Sequence, residues 1–566
     1  MERPWLAQYD AGVAPSLEYP RVPLYHLLDD SADRAPDRPC TLFFGQTLSY
    51  RRVRALSDRL AAGLLAEGIH PGDRVALLLP NSPLFVIAYY AILKAGAVVM
   101  PLNPLANRHE LATQLQDAAA SLLITIPRFA EVAAELHQTL PNLRLAIGNL
   151  ATWMTLPLRL LMSFRESRER RALPNGSYLR VERLLATPLP AHFQPYPATP
   201  GCMAVLLYSG GTTGEAKGIM LSHAACVANA HQLRAWGDLG AEDRILAVLP
   251  LFHGYGMSVN MNAVMLAGGS IVLLPRFNVG DVLRSIALYL PTFFTGVPTM
   301  FAALADAPDL ERYDLRSLKG IFVGAAPLTP QIKQAFEARS GARMIEGYGL
   351  TEAVTAIMAN PYRGTHKIGS IGIPFPDVEV RIMGLDGKPD PTPGELGEIV
   401  LRSPTLMLGY YNRPDLTREA IVDGWLRSGD IGYLDEDGYC YITDRKKDLI
   451  IVGGFNVFPR EVEQVLLRHP RVRDGVVIGI PDAYAGERVK AYVVREPGAT
   501  LTEAELLAFL HKRLTSYKVP ALIEFRTELP RTMIGKVLRR ALREEQPQPA
   551  SEPDMLAVGA GIERTG

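Results

Sequence analysis

The chain has 566 residues, too many for one ordinary core, so about two to four substructures are expected. Its 48% hydrophobic content suits packed globular domains, and 59 basic against 59 acidic residues leave no electrostatic case for nucleic acid. Cys40, Cys202, Cys226 and Cys440 lie far apart without metal-ligand or CxxC spacing, which predicts free buried thiols in a reducing cytosol.

The first residues lack the basic and apolar regions of a signal peptide, so a cytoplasmic protein is expected. Helical and strand patterns alternate over 21–145. Apolar positions three and four apart predict a helix over 49–65, a turn and buried strand follow over 72–80, and a helix over 84–95 stops at Gly96. A short strand comes next, over 98–104. This rhythm means a largely parallel sheet wrapped by helices. No apolar run is long enough to span a bilayer, since the longest, near 86–102, contains Lys94. Residues 150–164 are strongly apolar, and Arg165, Arg168, Arg170 and Arg171 follow. Pro157 and Arg159 argue against a span. Packing of this segment on the domain is the favoured expectation, with an interfacial helix edged by arginines as the alternative.

An apolar run from Met203 to Tyr208 predicts a buried strand leading into Ser209-Gly-Gly-Thr-Thr-Gly-Glu-Ala-Lys-Gly218. Glycines bring backbone N–H groups close to an anion, and hydroxyls and Lys217 add donors and charge, a composition that suits polyphosphate. It is not a Walker loop, because Ala216 precedes Lys217 and no Ser/Thr follows. A flexible surface loop is the competing reading. Further strands are expected at 244–250, 269–275, 321–328 and 342–352, with helices at 257–266, 281–290 and 331–339. From 369 to 443 short strands between Gly/Pro/Asp turns mark a β-rich subdomain. The charged run 444–448 is the candidate boundary between a 1–443 domain and a 449–545 α+β domain, with helices at 459–467 and 503–514 and strands at 474–480 and 489–494. Residues 546–566 read as a disordered tail. The expected fold is α/β: a large N-terminal domain of layered α/β subdomains with a β-rich subdomain, hinged to a small C-terminal α+β domain.

The 209–218 loop resembles the phosphate loop of the acyl-adenylate-forming enzymes, in the form found in bacterial long-chain fatty acid–CoA ligases. Other motifs follow in the family's order over about residues 5–545. The resemblance implies that Ser209, Gly210, Gly211, Thr212, Thr213, Gly214 and Lys217 bind ATP phosphates. In Glu346-Gly347-Tyr348-Gly349-Leu-Thr351-Glu352 it places Tyr348 against adenine and Thr351 on phosphate, and it assigns Mg²⁺ to Glu352 with Thr212 nearby. Gly324, Ala325, Ala326 and Pro327 would border adenine, and Asp430 and Arg445 would take the ribose. Lys447 aligns with the hinge, and Gly453 and Gly454 would let pantetheine pass. Lys536 would bridge the substrate carboxylate and α-phosphate, although Ile534 stands where serine is frequent. Taken alone, Glu352 reads as a solvated residue, Asp430 as a turn residue and His253 as a packed one. In the family context His253 positions substrate or gates the thiol entrance rather than acting as a base, and 256–265 would line an acyl tunnel.

The implied activity is ATP- and Mg²⁺-dependent ligation of a long-chain fatty acid to coenzyme A through acyl-AMP. A fatty acyl-AMP ligase loading a carrier protein, or an aryl or medium-chain ligase, are the alternatives. A binding protein without turnover should have lost Lys536, Glu352 or Asp430, and all three are present. Peripheral contact with the inner face of the cell membrane and dimer formation are left open.

Overall fold

A computed structural model describes residues 3–173, 178–209, 216–326, 328–384, 387–389, 392–482, 484–531 and 537–546. Two compact units divide between Ile442 and Thr443, beside the charged run at 444–448.

In the larger unit, Ser49 caps helix Tyr50–Ala66 by accepting from Arg52 N, and Val53, Leu56, Leu60 and Leu64 make its buried stripe. That stripe packs on helix Pro83–Lys94, which is buried on every side. The fully buried Lys94 is neutralised by Asp29 at 2.6 Å and Asp58 at 2.5 Å. An unpaired ammonium there would be costly.

Two sheets frame the unit. In the first, strands run in the order Ile373–Pro374, Thr355–Ala359, Arg343–Leu350, Gly320–Val323, Phe293–Gly296, Arg244–Ala247, Ser270–Leu273, Pro39–Phe43 and Gln46–Ser49. Its middle strands are parallel and its outer pairs antiparallel. The second runs Gly409–Tyr410, Lys217–Ser222, Met203–Ser209, Val98–Pro101, Arg74–Leu78, Leu122–Thr125, Arg144–Ile147 and Tyr178–Arg180. The β-rich region forms a third sheet from Glu379–Gly384, Gly397–Arg402, Trp425–Leu434 and Ile421–Val422, with Cys440–Arg445 beside Trp425–Leu434. The run expected as one helix over 257–266 is a π-helix, Gly256–Asn262, continued as an α-helix, Ala263–Ala267. Such turns are rare and concentrate at functional sites.

The smaller unit carries strands Phe455–Val457, Ile450–Val452, Gly486–Arg495, Val472–Asp482 and Leu522–Arg526 in one sheet. Helices Pro459–Leu466 and Glu503–His511 bury Val462, Leu466, Leu506 and Leu510 in its core. The second helix starts at a capping box between Thr502 and Glu505 and ends three residues before the expected 514.

Three expectations are corrected. The 150–171 segment packs on the domain only in part. Leu150, Ala151, Trp153 and Met154 are buried, but helix Leu156–Glu169 exposes nearly all its apolar side chains. Cys202 is exposed rather than buried, while the other three thiols are buried and free. Gln546 is not loose, because its side chain accepts from Lys490 Nζ at 2.9 Å; residues 547–566 of the expected tail lie outside the described residues. Among the described residues, no helix is long and apolar enough to cross a membrane.

Candidate active site

Strands Met203–Ser209 and Lys217–Ser222 pair antiparallel, with Ser209 opposite Lys217. The glycine-rich segment therefore joins the ends of a hairpin. Gly210, Gly211, Thr212, Thr213 and Gly214 lie outside the described residues, as do Pro327, Lys536 and the side chain of Ser209. Lys217 is described: its Nζ lies 5.1 Å from the centroid of the Tyr410 ring, a cation–π arrangement.

Tyr410 connects that lysine to the acidic residue of the other motif. Its two-residue strand, Gly409–Tyr410, pairs with Lys217–Ser222, so backbone register fixes where the ring stands. The Tyr410 hydroxyl donates to Glu352 Oε1 at 3.0 Å. Burial, followed by the nearby Glu352 charge, raises the phenol well above its ordinary range, so it stays a donor. The Glu352 backbone carbonyl accepts from Met407 N at 2.7 Å, which anchors the main chain that carries the carboxylate. The sequence reading missed Tyr410. Only the glycine before a tyrosine pair in Gly409-Tyr410-Tyr411 hinted at it.

Glu352 sits in a single 3₁₀ turn, Thr351–Ala353, at the end of strand Arg343–Leu350. Val354 and Thr355 then have φ of 59° and 97°, positions that β-branched residues rarely occupy. Strain of that kind, two and three residues after Glu352, belongs to a turn held by its surroundings. Gly349 is part of the holding, since a Cβ there would stand 1.0 Å from Thr355 O.

Along the same strand, Tyr348 donates its hydroxyl to Asp430 Oδ2 at 2.5 Å. Asp430 is buried, and its backbone N–H donates to Ser428 Oγ at 3.0 Å. Glu346 accepts from Leu328 N at 3.2 Å, and Gly347 pairs with Ala359 across the sheet. Gly324, Ala325 and Ala326 follow strand Gly320–Val323, the parallel neighbour of Arg343–Leu350, and Ala325 has a left-handed φ of 68°. The expected adenine border and the expected ribose carboxylate are thus both tied to one strand end.

His253 is half-buried, and its Nδ1 accepts from Tyr255 N at 3.1 Å. Burial lowers its pKa to about 4. A neutral ring that uses Nδ1 as acceptor carries its proton on Nε2, so it can donate but has no lone pair free for base catalysis.

In the smaller unit, Arg445 ends strand Cys440–Arg445 and Lys447 lies in the 3₁₀ turn Lys446–Asp448. Asp444 beside them is buried and accepts from Arg460 N and Arg445 N, each at 2.7 Å. Gly453 and Gly454 form the two-residue turn between Ile450–Val452 and Phe455–Val457, with φ of 56° and 84°. Two consecutive left-handed residues make the type I′ geometry that favours glycine.

Among the described residues no three His, Cys, Asp or Glu side chains cluster as a metal cage. Glu352 nonetheless suits a hard divalent cation, because Tyr410 occupies one carboxylate oxygen and leaves the other as a ligand. Mg²⁺ characteristically takes one or two carboxylates and keeps several waters.

The acidic turn, the carboxylate–tyrosine pair and the hairpin lysine lie at strand ends of an α/β fold, the place where open sheets bind ligands. The chain belongs to the AMP-binding enzyme family: that family matches residues 28–411, and its C-terminal domain matches residues 461–536. A relative from Bacillus subtilis, a long-chain-fatty-acid–CoA ligase, is 40% identical over 560 residues, covering 96% of this chain and 98% of its own. An Escherichia coli O157:H7 protein of the same description is 35% identical over 555 residues, with 96% and 98% covered. ATP-bound MatB from Rhodopseudomonas palustris superimposes with a TM-score of 0.81 at 30% identity, covering 93% of this chain and 99% of its own.

Proposed function

We propose that this protein is an ATP-dependent long-chain fatty acid–CoA ligase of the AMP-forming type. The observation that carries the proposal is the convergence on strand Arg343–Leu350 and its turn: Tyr348 bonded to Asp430 for the nucleoside, and Glu352 linked through Tyr410 to Lys217 for the phosphates. The full-length similarity to two long-chain-fatty-acid–CoA ligases supports the acyl class and the acceptor.

In the first half-reaction a carboxylate oxygen of the fatty acid attacks the α-phosphorus of ATP, the bond to pyrophosphate breaks and acyl-AMP forms. Asp430 presents a buried carboxylate to the ribose hydroxyls, each oxygen able to take one O–H. Lys217, steadied over Tyr410, and Lys536 supply positive charge for the phosphates, a mainly electrostatic contribution. Glu352, with Thr212, would hold Mg²⁺, which when bound neutralises charge on the phosphate oxygens. His253 donates from Nε2 beside the reacting carboxylate. In the second half-reaction the coenzyme A thiol attacks the acyl carbonyl carbon, the bond to AMP breaks and the thiol proton leaves to solvent. Gly453 and Gly454 admit the pantetheine arm, Arg445 supports the ribose, and the small domain pivots at Lys447 between half-reactions. Peripheral membrane contact through 150–171 belongs to the same reading.

The test is incubation of the purified chain with ATP, Mg²⁺ and palmitate, with and without coenzyme A, following AMP, pyrophosphate and acyl products. Palmitoyl-CoA formed only in the complete mixture is the expected result. Acyl-AMP accumulating without thioester would point to a carrier-protein ligase. Turnover of benzoate or octanoate but not palmitate would overturn the long-chain assignment.

A further inference from the structure

A chain of buried ion pairs runs through the smaller unit. Arg539 Nη2 donates to both oxygens of Glu463, at 2.7 and 2.9 Å, and its Nη1 lies 3.6 Å from Asp448 Oδ2. Arg543, one turn further along helix Arg539–Glu544, reaches Asp448 Oδ1 at 3.0 Å. Asp448 is buried, and Glu463 Oε1 also accepts from Val477 N at 2.8 Å. Burial raises the Glu463 carboxyl, and the Arg539 charge opposes that shift. Burial alone would lower Arg539, yet Glu463, Asp448 and Asp444 together raise it, so it stays a cation.

The network joins two places on which the chemistry depends. Asp448 closes the 3₁₀ turn Lys446–Asp448 that contains Lys447, the hinge position. Just before that turn, Asp444 is buried and accepts from Arg460 N and Arg445 N. At the far end of the network, Arg539 stands three positions after Lys536. The described residues on either side of that lysine are tied together: Val537 bridges Arg531 antiparallel, and Leu538 N donates to Pro530 O at 2.8 Å. Arg531 in turn pairs with Asp474. Leu542, buried with Val476, Ile478 and Tyr492, seats helix Arg539–Glu544 on strand Val472–Asp482.

An apolar contact would seat the helix as firmly. Taking two charges out of water offsets much of their attraction, so a buried pair adds little net stability and instead admits few geometries. Here one arginine nitrogen holds both oxygens of Glu463 while the other faces Asp448. That arrangement fixes both the distance and the angle between the helix that follows Lys536 and the turn that holds Lys447.

We propose that Arg539 and Arg543, held by Glu463 and Asp448, are positioning residues for Lys536: they lock the lysine segment to the hinge turn, so that pivoting at Lys447 brings in and withdraws Lys536 as one body. The inference rests on the ligase reading and adds to it the residues that transmit the pivot. The Gly453–Gly454 turn has an anchor of its own, Gly453 N donating to Ala485 O at 2.8 Å. Loosening the network should therefore reach the adenylation step and spare the thioester step.

The full chain is compared with Arg539→Met/Glu463→Gln. This variant removes both charges at once, so neither is left buried alone, and glutamine keeps an acceptor for Val477 N. Acyl-AMP formation from palmitate and ATP should fall about 10- to 100-fold, as expected for a misplacement of about 1 Å. Thioester formation from added palmitoyl-AMP and coenzyme A should change less than about twofold, with the thermal midpoint within about 3 °C of the wild type. Arg543→Gln acts at the partly exposed end of the network and should give the same split at about two- to fivefold. It carries the same test should the double variant not fold. Hydrogen exchange adds a readout without turnover: peptides over 529–542 should exchange at least about fivefold faster in the double variant, and those over 489–494 should not change.

Equal losses in both half-reactions, adenylation at the wild-type rate, or unchanged exchange over 529–542 overturns the proposal. Lys536→Ala is run beside these variants. If it adenylates palmitate normally, the role given to Lys536 in the ligase reading fails. If it does not while the double variant does, the coupling alone fails. A wild-type chain that makes no acyl-AMP overturns the ligase reading, and the exchange result then decides the coupling by itself.

Discussion

The Tyr410 hydroxyl donates to Glu352 Oε1 at 3.0 Å while the ring of the same tyrosine carries Lys217 at 5.1 Å. One side chain therefore orients both the acidic group and the cationic group assigned to the phosphates. Tyr410→Phe keeps the ring under Lys217 and removes only the donor to the carboxylate. A hydrogen bond to a charged group contributes about 1.5–3 kcal/mol, so kcat/KM for pyrophosphate release should fall about 10- to 100-fold. Tyr410→Leu removes the cation–π contact as well and should fall further. Pyrophosphate release at saturating palmitate checks both, and an unchanged Tyr410→Phe enzyme would remove Tyr410 from the site.

The pair Tyr348–Asp430 makes a separate claim about the nucleoside. Tyr348→Phe leaves a ring for adenine but removes the hydroxyl's hydrogen bond to the buried Asp430 carboxylate. The KM for ATP should rise about five- to tenfold, equivalent to about 1–1.4 kcal/mol, with kcat changed less. A fall in kcat with KM intact would instead place Tyr348 in the chemical step.

Each member of that pair was legible in a local motif, but their contact was not. They are 82 positions apart on strands of two different sheets, so tertiary packing rather than local periodicity brings them together. Tyr410 was invisible for a related reason: it lies in a two-residue strand, too short to show alternation, and owes its place to pairing with Lys217–Ser222. The helices at 50–66 and 83–94 were legible because their caps and apolar spacing are local. The helix at 156–169 was misjudged because apolar composition records a tendency to leave water, not the surface that receives it. The π-turn at 256–262 depends on an i→i+5 hydrogen-bond shift that composition does not encode.

Three histidines set an acid limit. His223, buried and accepting from Leu24 N at 3.0 Å, His253 and His366 are each lowered to about 4, mainly by burial. Unfolded histidine titrates near 6.5, so between that value and about 4 the unfolded chain binds more protons. The stability these groups contribute is complete above about pH 6.5 and is lost as pH falls toward 4. Thermal midpoints should drop steeply from pH 6.5 to 5, and His223→Gln should flatten that slope while lowering the midpoint at pH 7.5. For the same reason, rates between about pH 6 and 8 should show no inflection from His253.

Gly349 has no room for a side chain, because its Cβ would stand 1.0 Å from the backbone oxygen of Thr355. Gly349→Ala must displace the strained Val354–Thr355 turn that follows Glu352. A loss of about 4 kcal/mol or more in stability is expected, or a folded protein without adenylation activity. Gly201→Ala is the control: nothing lies within 4 Å of its Cβ position and its φ is ordinary. Equal behaviour of the two variants by thermal unfolding and pyrophosphate release would mean that the turn is not held as described.

The two half-reactions should separate by mutation. Gly453 and Gly454 stand exposed in a left-handed turn with nothing within 4 Å of either Cβ position, so Gly454→Val has space but the wrong backbone preference. The strain should cost about 1–2 kcal/mol in a unit with its own core, which leaves it folded. If this turn admits pantetheine, Gly454→Val should form acyl-AMP at the wild-type rate while palmitoyl-CoA formation from added palmitoyl-AMP falls at least tenfold. Lys536→Ala should behave in the opposite way, losing acyl-AMP formation and retaining thioester formation from the adenylate. Single-turnover assays of each half-reaction give both readings. Parallel losses in both half-reactions for both variants would mean that Gly454 and Lys536 serve one common step, and the pivot at Lys447 would then have no role to play.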